Sequence, residues 1–266
     1  MKAQILFSGS KGNCTYISDG ETSILVDAGG TLKRIRESLE KLGDSLDNIK
    51  GIFVTHEHSD HINALYTMTK KYDIRIYTTV ETARAFCTPC QAHDLDSCRR
   101  VAGCVMTVRP DKVYEVGTIA VKTFSTPHDT EGSLGFVFKS THDEKSIGYA
   151  TDVGHVTDGM RELFTGVKNI IIESNHDVDM LIHGTYPEYV KTRILSERGH
   201  LSNLSCAKFV RELAEKGSRS FTLAHLSEDN NIPSLALETV NNAVSDMDGV
   251  VVKVASAYSP TDVEIF

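Results

Sequence analysis

The chain has 266 residues, of which 40% are hydrophobic and 24% are charged, and this composition is that of an ordinary globular protein. The formal charge of −8 argues against a broad nucleic-acid-binding surface, but a phosphate substrate stays possible because bound metal ions would reverse the local field. No apolar run approaches about 20 residues and no signal-peptide pattern is present, so we expect no spanning helix and a cytoplasmic location.

The first half of the chain alternates strand and helix signals. Three strands separated by turn sequences are predicted at Gln4–Phe7, Cys14–Ser18 and Ser23–Asp27. Thr31 is predicted to cap a helix that continues to Leu42, because apolar residues recur there at helical spacing. The further predicted elements of this half are a strand over 51–55, a helix over 60–71, a strand over 73–78, a helix over 80–86 and an irregular segment over 87–104.

The second half begins with strands and becomes mainly helical. Strands are predicted over 105–109, 113–116, 118–125, 133–139 and 146–151. After these, helices over 156–165, 176–197, 202–216 and 233–247 alternate with strands over 169–173, 219–224 and 250–254. Two β-rich halves, each with helices, predict an α/β fold in which two mixed sheets pack face to face with helices outside. Because no linker or repeat interrupts the chain, we expect one domain over residues 1–266.

A dense cluster of polar side chains follows the predicted strand over 51–55. It holds His56, His58, Asp60 and His61 in the pattern H-x-H-x-D-H. His56 and His58 are two residues apart, so on an extended backbone they project to the same side, and Asp60 with His61 can turn away if a helix begins there. Neutral imidazoles and carboxylates suit zinc, manganese or iron, and two pairs of ligands can serve two ions. The alternative is a solvated polar loop.

Three more potential ligands stand just past the ends of predicted strands. They are His128, Asp152 and His225. Taken singly, each histidine could be a hydrogen-bonded surface residue, and the aspartate could be a turn or cap residue. Their order after the cluster favours a shared site, because sheet proteins gather ligands at strand ends.

This order of motifs resembles the metallo-β-lactamase superfamily over nearly the whole chain. The resemblance implies an αββα sandwich and a catalytic site with two divalent ions, for which we expect zinc, with manganese or iron as alternatives. It also implies that Asp60 takes part in catalysis as a ligand and that β-lactamase activity is disfavoured, since many β-lactamases carry cysteine where this chain has Asp152. The implied ligands are His56, His58 and His128 for one ion, Asp60, His61 and His225 for the other, and Asp152 as the bridge.

Two further elements resemble those of tRNA 3′-processing ribonucleases. A strand that ends in Glu173 and the sequence Gly199-His200-Leu201-Ser202 both have counterparts there. The resemblance implies that His200 contacts the scissile phosphate or assists the leaving group, and that Glu173 orients it. The alternatives are a histidine beside the helix cap Ser202 and a solvated glutamate at a strand end.

The complete set of elements resembles the YycJ/WalJ group of the superfamily, whose members are associated with 5′-to-3′ DNA exonuclease activity. Only 47 residues (153–199) separate Asp152 from His200, too few for the β-CASP domain that larger nucleases of the superfamily insert there. Asn13, Ser227 and Asn231 are candidate contacts to phosphate oxygens, with loop-shaping caps and turns as the alternative. The elements that carry the resemblance are 8–13, 173–177, 199–203 and 225–231.

A cysteine-rich segment is not explained by the resemblance. Cys87, Cys90, Cys98 and Cys104 lie within eighteen residues, with His93 between them. Four thiolates could bind a structural zinc ion, and buried or reactive thiols are the alternative.

These observations together predict a dinuclear-metal hydrolase of phosphodiesters that acts on DNA as an exonuclease. One alternative is a hydrolase of thioesters, lactones or cyclic nucleotides on the same fold, which the charge of −8 and the absence of a basic run favour. The other is a non-catalytic metal or redox sensor built on the cysteine segment.

Overall fold

A computed structural model describes residues 1–89 and 94–266. The strands are β1 (Lys2–Phe7), β2 (Cys14–Ser18), β3 (Ser23–Val26), β4 (Ile49–Phe53), β5 (Arg75–Thr78), β6 (Val105–Thr107), β7 (Val113–Val116), β8 (Ile119–Ser125), β9 (Leu134–Ser140), β10 (Ser146–Ala150), β11 (Asn169–Glu173), β12 (Ser220–Ala224), β13 (Val251–Val254) and β14 (Thr261–Asp262). The helices are α1 (Leu32–Lys41), α2 (Ser59–Ile62), α3 (Leu65–Met68), α4 (Val80–Phe86), α5 (Leu95–Cys104), α6 (Asp158–Phe164), α7 (Val178–His183), α8 (Glu188–Ile194), α9 (Asn203–Glu215) and α10 (Pro233–Ala243), with a 3-10 turn at Leu46–Asn48.

The strands form two seven-stranded sheets within the described ranges. The first has the order β14-β1-β2-β3-β4-β5-β6, and the second has the order β13-β12-β11-β10-β9-β8-β7. Strands β3 to β6 run parallel, as do strands β10 to β13, while the other neighbours are antiparallel. Both sheets are therefore mixed, as the sequence predicts.

The apolar core lies in three layers. Between the sheets, Phe53 of β4 is fully buried and its ring meets Phe136 of β9 edge to face at 5.6 Å. Burial of one such aromatic side chain contributes about 1.5–3 kcal/mol. On the outer faces, helices including α1 and α3 cover the first sheet, and helices including α6, α9 and α10 cover the second. The αββα sandwich is thus confirmed.

The parallel strands determine where polar side chains collect. Strands β3 and β4 in one sheet and β10, β11 and β12 in the other end close to the same edge of the sandwich, because the residues that follow them contact one another. The carboxyl ends of parallel strands are where α/β proteins place their ligands. This edge carries the seven histidine and aspartate residues that are candidate metal ligands.

Four parts of the chain differ from the sequence prediction. The segment expected to be an irregular loop over 87–104 contains α5, because Asp94 caps a helix that buries Cys98 and Val101 on one side. The predicted helix over 60–71 divides into α2 and α3, and the predicted helix over 176–197 divides into α7 and α8 because Pro187 cannot continue a helix. The short strand β14 was not predicted.

Among the helices of residues 1–89 and 94–266, none has both the length and the apolar character required to cross a bilayer.

Candidate metal centre and active site

The H-x-H-x-D-H segment begins where β4 ends. His58 still has extended backbone, and α2 starts at Ser59, so the chain changes direction between the two pairs of ligands. The helix start expected near Asp60 is therefore confirmed. His56 and His61 are fully buried, whereas His58 and Asp60 are partly exposed at the mouth of the site.

The structure brings all seven candidate ligands together, and the two predicted groups are among four overlapping clusters of potential ligands in the described residues. The other two clusters join Asp152 to His56 and His61, and to Glu173, His200 and His225. Within each group the potential ligand atoms lie no more than 4.8 Å apart. Asp152 stands between the groups, since its carboxylate oxygens are 3.4 Å from His61 Nε2, 3.8 Å from His128 Nε2 and 3.4 Å from His225 Nδ1. The roles of these residues as ligands remain a prediction. The groups are His56, His58 and His128, and Asp60, His61 and His225.

Unpartnered polar atoms at this edge fit a bound cation. The Nε2 atoms of His56, His128 and His225 and the Oδ2 atom of Asp152 are buried and have no hydrogen-bond partner among the described residues. Such atoms are rare in folded proteins. Burial, together with the neighbouring His61 and His128, lowers the pKa of His56 well below its usual value, which keeps this imidazole neutral and able to bind a metal ion.

Carboxylates surround the two histidines of the second group of candidate ligands. Burial alone would lower the pKa of His61 and of His225, but the surrounding carboxylates of Asp152 and Asp60 raise both, in His225 to about 10. The carboxylates around the second group therefore favour a positive charge at this position. A divalent ion bound by imidazole and carboxylate would supply that charge, so the residues present fit the metal ion that they are predicted to bind.

Asp27 is a positioning residue that the sequence prediction missed. Its fully buried carboxylate accepts a hydrogen bond from His61 Nδ1 at 2.7 Å and another from the backbone N–H of Thr55 at 2.8 Å. The first bond leaves His61 Nε2 directed toward the site, as carboxylate partners of metal-bound histidines do. Asp27 stands directly after β3, so the rule that located the other strand-end ligands could have found it.

Backbone strain is concentrated at the same edge. Four non-glycine residues of the described ranges have a positive φ, and three of them are Asp27 (61°), Asp152 (58°) and His225 (55°). This left-handed conformation is costly for residues with a side chain. Tight turns after three different strands thus orient three site residues.

Glu173 is the most highly connected acid of the site. Its Oε1 atom accepts hydrogen bonds from His200 Nδ1 (2.9 Å), His225 Nδ1 (2.8 Å) and the backbone N–H of Asp152 (3.2 Å). Its Oε2 atom accepts the backbone N–H groups of Val153 and Leu201. Burial would raise the pKa of Glu173, but His200 and the other donors hold it well below the usual range. The carboxylate is therefore not a solvated strand end, and it fixes three segments of the site at once.

His200 lies beside the metal-ligand candidates and does not cap the helix that follows it. Its ring centroid is 5.1 Å from that of His128 and 5.4 Å from that of His225, while the cap of α9 is Ser202. Burial would lower the pKa of His200, but the carboxylates of Glu173 and Asp152 raise it. Because Nδ1 donates to Glu173, Nε2 is the ring atom that can donate to a substrate.

A cleft of about 320 Å³ opens onto this site. Of the three candidate substrate contacts, Ser227 lines the cleft. Asn13 is almost fully buried and its amide donates to Asp60 Oδ2 at 3.1 Å. Asn231 is also buried, and its amide donates to the backbone oxygens of residues 174 and 175. The hydrogen bonds of these two asparagines hold neighbouring loops, which is the alternative to a direct contact with phosphate oxygens.

Asp129 was also missed by the sequence prediction. Its Oδ1 atom lies 3.1 Å from His128 Nε2 and 3.5 Å from His58 Nε2, and its Oδ2 atom lies 3.4 Å from Arg193 on α8. The carboxylate therefore connects the first ligand group to the helix that forms one wall of the cleft. Its position directly after His128 was the available signal.

The described cysteines of the cysteine-rich segment belong to none of the clusters of potential metal ligands in the described residues. Cys90 and His93 fall outside the described residues, so the four-cysteine zinc site stays a prediction. Cys98 is part of the apolar core on the outer face of the first sheet, and Cys87 and Cys104 are partly buried against this core. Burial raises the pKa of Cys87 to about 11, which keeps this thiol protonated and argues against a reactive thiolate.

His176 provides a test of stability against pH. Its side chain is 1% exposed, neither ring nitrogen has a hydrogen-bond partner among the described residues, and burial lowers its pKa from 6.5 to about 4. Between these values the unfolded chain binds a proton that the folded chain does not, so stability falls as the pH drops from 6.5 toward 4. Relative to wild type, His176→Gln is expected to gain about 2 kcal/mol between pH 7 and pH 5.

Urea unfolding of both proteins at the two pH values measures this difference. Because the metal ligands titrate in both proteins, their contribution cancels in the comparison. A stability difference between the proteins that is the same at pH 7 and pH 5 would rule out a neutral buried His176.

The sandwich and its histidine-rich edge define a class of protein, and comparison with known proteins gives the same class. A family profile described as a beta-lactamase superfamily domain matches residues 22–225. The Zn²⁺-bound PqqB of Methylobacterium extorquens shares the fold, with a TM-score of 0.71 over 98% of this chain and all of that one, at 18% identity. The chain belongs to the metallo-β-lactamase superfamily, a fold that implies binding of a divalent metal ion.

Within the superfamily, the similarity is to the YycJ/WalJ group. The chain is 33% identical to exodeoxyribonuclease YycJ of Bacillus anthracis over 91% of its own length and 88% of that protein. It is 33% identical to exodeoxyribonuclease WalJ of Streptococcus pneumoniae over 93% of its length and 89% of that protein. The predicted resemblance to this group is thus confirmed.

Proposed function

We propose that the protein is a metal-dependent phosphodiesterase that degrades DNA as a 5′-to-3′ exonuclease and uses two divalent ions, with zinc as the expected metal. The observation that carries the proposal is the hydrogen bond between Glu173 and His200 beside the seven ligand candidates. This pair supports the proposal because a protonated imidazole beside the predicted metal ions would stabilise the negative charge that develops on an anionic ester. The similarity to two proteins named exodeoxyribonucleases supports DNA as the substrate.

The protein's own residues position and protonate the substrate. The divalent ions that the candidate ligands would hold would supply a nucleophilic water at neutral pH and would neutralise part of the charge of the phosphodiester. Glu173 raises the pKa of His200, and the protonated imidazole can stabilise the negative charge that develops on phosphorus-bound oxygen or give its Nε2 proton to the leaving oxygen. Ser227 lines the cleft beside them and can donate a hydrogen bond to a phosphate oxygen.

A panel of substrates tests the proposal. Protein loaded with zinc or with manganese is given 5′-labelled single- and double-stranded DNA, RNA and bis-p-nitrophenyl phosphate. We expect release of nucleotides from the 5′ end of DNA and turnover of the small diester. Turnover of a thioester or lactone without turnover of any phosphodiester would overturn the proposal.

Two variants separate metal binding from proton transfer. Asp60→Ala is expected to lose both metal and activity. His200→Ala is expected to keep its metal content, because His200 is not among the predicted ligands, and to lose about 10²- to 10⁴-fold in rate. A His200→Ala protein that retains metal and full activity would refute the role of His200.

A further inference from the structure

A basic groove lies on the outer face of the first sheet. It has a volume of about 780 Å³ and lies among α1, the turn from α2 to α3, and α5. Five of its lining residues are cationic, and no acidic residue lines it within the described parts of the chain. The cations are Lys33, Arg36, Lys70, Lys71 and Arg100.

The charges of this groove are incompletely balanced by neighbours. All five side chains belong to exposed residues. Lys33 and Arg36 have only loose, exposed pairs with glutamates one turn along α1, at 3.8 Å and 3.5 Å, and such pairs contribute little. Lys70 and Lys71 form no ion pair with any described residue. A concentration of positive charge in a chain of formal charge −8 indicates a surface that attracts an anion.

The groove adjoins the peptide segment that carries the candidate ligands of α2. Gly30 and Ala64 line the groove. The backbone N–H of Ala64 donates to Ala28, whose own N–H donates to the backbone oxygen of the candidate ligand His61, each at 2.8 Å. Gly29 packs so closely that a Cβ atom there would lie 1.4 Å from the backbone oxygen of Asp60. One tightly packed peptide segment therefore separates the groove from the metal-ligand helix α2.

We propose that the basic groove binds the phosphate backbone of the DNA strand that extends beyond the scissile phosphate. The inference rests on the proposed function, since the groove adjoins the site that would cut the strand. Its lining combines lysine and arginine with the hydroxyl group of Thr31 and the amide group of Asn63, and groups of these kinds can donate hydrogen bonds to phosphate oxygens. A concave groove suits a strand better than it suits a flat membrane surface.

Paired variants test this assignment. Lys70→Ala/Lys71→Ala removes two groove cations. Lys208→Ala/Lys216→Ala removes two exposed cations, one in α9 and one directly after it, and α9 covers the other sheet. For each protein, kcat/KM for 5′-labelled DNA is measured over a range of salt concentrations and divided by the rate on bis-p-nitrophenyl phosphate, so that any damage to the metal centre cancels. Thermal unfolding confirms that both proteins fold.

The groove variant is expected to lose on the order of tenfold in the normalised rate at 0.1 M salt, and its logarithmic salt dependence is expected to be shallower by about 1.5. The α9 variant is expected to match wild type. Equal salt dependences in the two variants would overturn the inference while leaving the phosphodiesterase proposal intact. A wild-type protein that cleaves neither substrate would instead contradict the proposed function.

Phosphatidylserine vesicles distinguish a nucleic acid from a membrane surface. If Lys70→Ala/Lys71→Ala reduces binding to these vesicles and leaves DNA degradation unchanged, the groove binds anionic lipid and the inference is wrong.

Discussion

Asp152→Asn is expected to lower the hydrolysis of bis-p-nitrophenyl phosphate by at least about 10³-fold and to weaken metal binding. The carboxylate lies between the two ligand groups, and its buried Oδ2 atom has no hydrogen-bond partner among the described residues. Asparagine has the same shape but lacks the negative charge that would offset the predicted cations, and its NH₂ group would face the imidazoles that are predicted to bind metal. The loss therefore affects metal affinity and rate together.

Asp111→Asn provides a matched control. Asp111 has the same left-handed backbone as Asp152, with φ of 58° in both, but it lies in an exposed turn. Asparagine tolerates this conformation, so neither variant should suffer from backbone strain. Metal content by mass spectrometry and zinc-dependent thermal stabilisation are measured alongside the rate. If Asp152→Asn binds metal and turns over like Asp111→Asn, the bridging role is wrong.

The sequence predicts the metal centre better than it predicts the surroundings of that centre. The ligand candidates have an order and a spacing along the chain, so they indicate a metal, and their resemblance to the metallo-β-lactamase superfamily implies the fold. The strands were also predictable, because they are short apolar runs bounded by turns. The division of the helix over 176–197 could have been foreseen from Pro187, whereas α5 was obscured because the cysteines that mark its buried side were interpreted as possible ligands.

The surroundings depend on contacts between residues that are distant in the chain. Asp27 and His61 are 34 residues apart, and Glu173 bonds to His225 across 52. No local sequence pattern predicts which carboxylate forms a hydrogen bond with which imidazole. The pairing depends on how the parallel strands of the two sheets end at one edge of the sandwich. The basic groove has the same origin, since its cations come from α1, from the turn after α3 and from α5, which are separate in the sequence.

Glu173→Gln is expected to reduce the rate by about 10²- to 10³-fold and to destabilise the fold by about 3 kcal/mol. Each carboxylate oxygen accepts at least two hydrogen bonds, so an amide in either orientation places its NH₂ group against donors. His225 and His200 would both lose their orientation. Loss of the negative charge also lowers the pKa of His200 toward its usual value, because Glu173 is the largest of the groups that raise it.

This change in pKa separates a positioning role from a merely structural one. If His200 must be protonated to act, activity falls above its pKa, so the alkaline limb of the pH–rate profile is expected to move to lower pH in Glu173→Gln. Ser174→Ala is the control. Ser174 follows Glu173 in the chain, and the variant removes one buried hydrogen bond from its hydroxyl group to Asn203, which lowers the stability of the fold by about 1 kcal/mol. Both variants lose stability, but only Glu173→Gln should shift the profile and weaken metal binding. An unshifted profile in Glu173→Gln would show that the carboxylate supports the fold without controlling the protonation of His200.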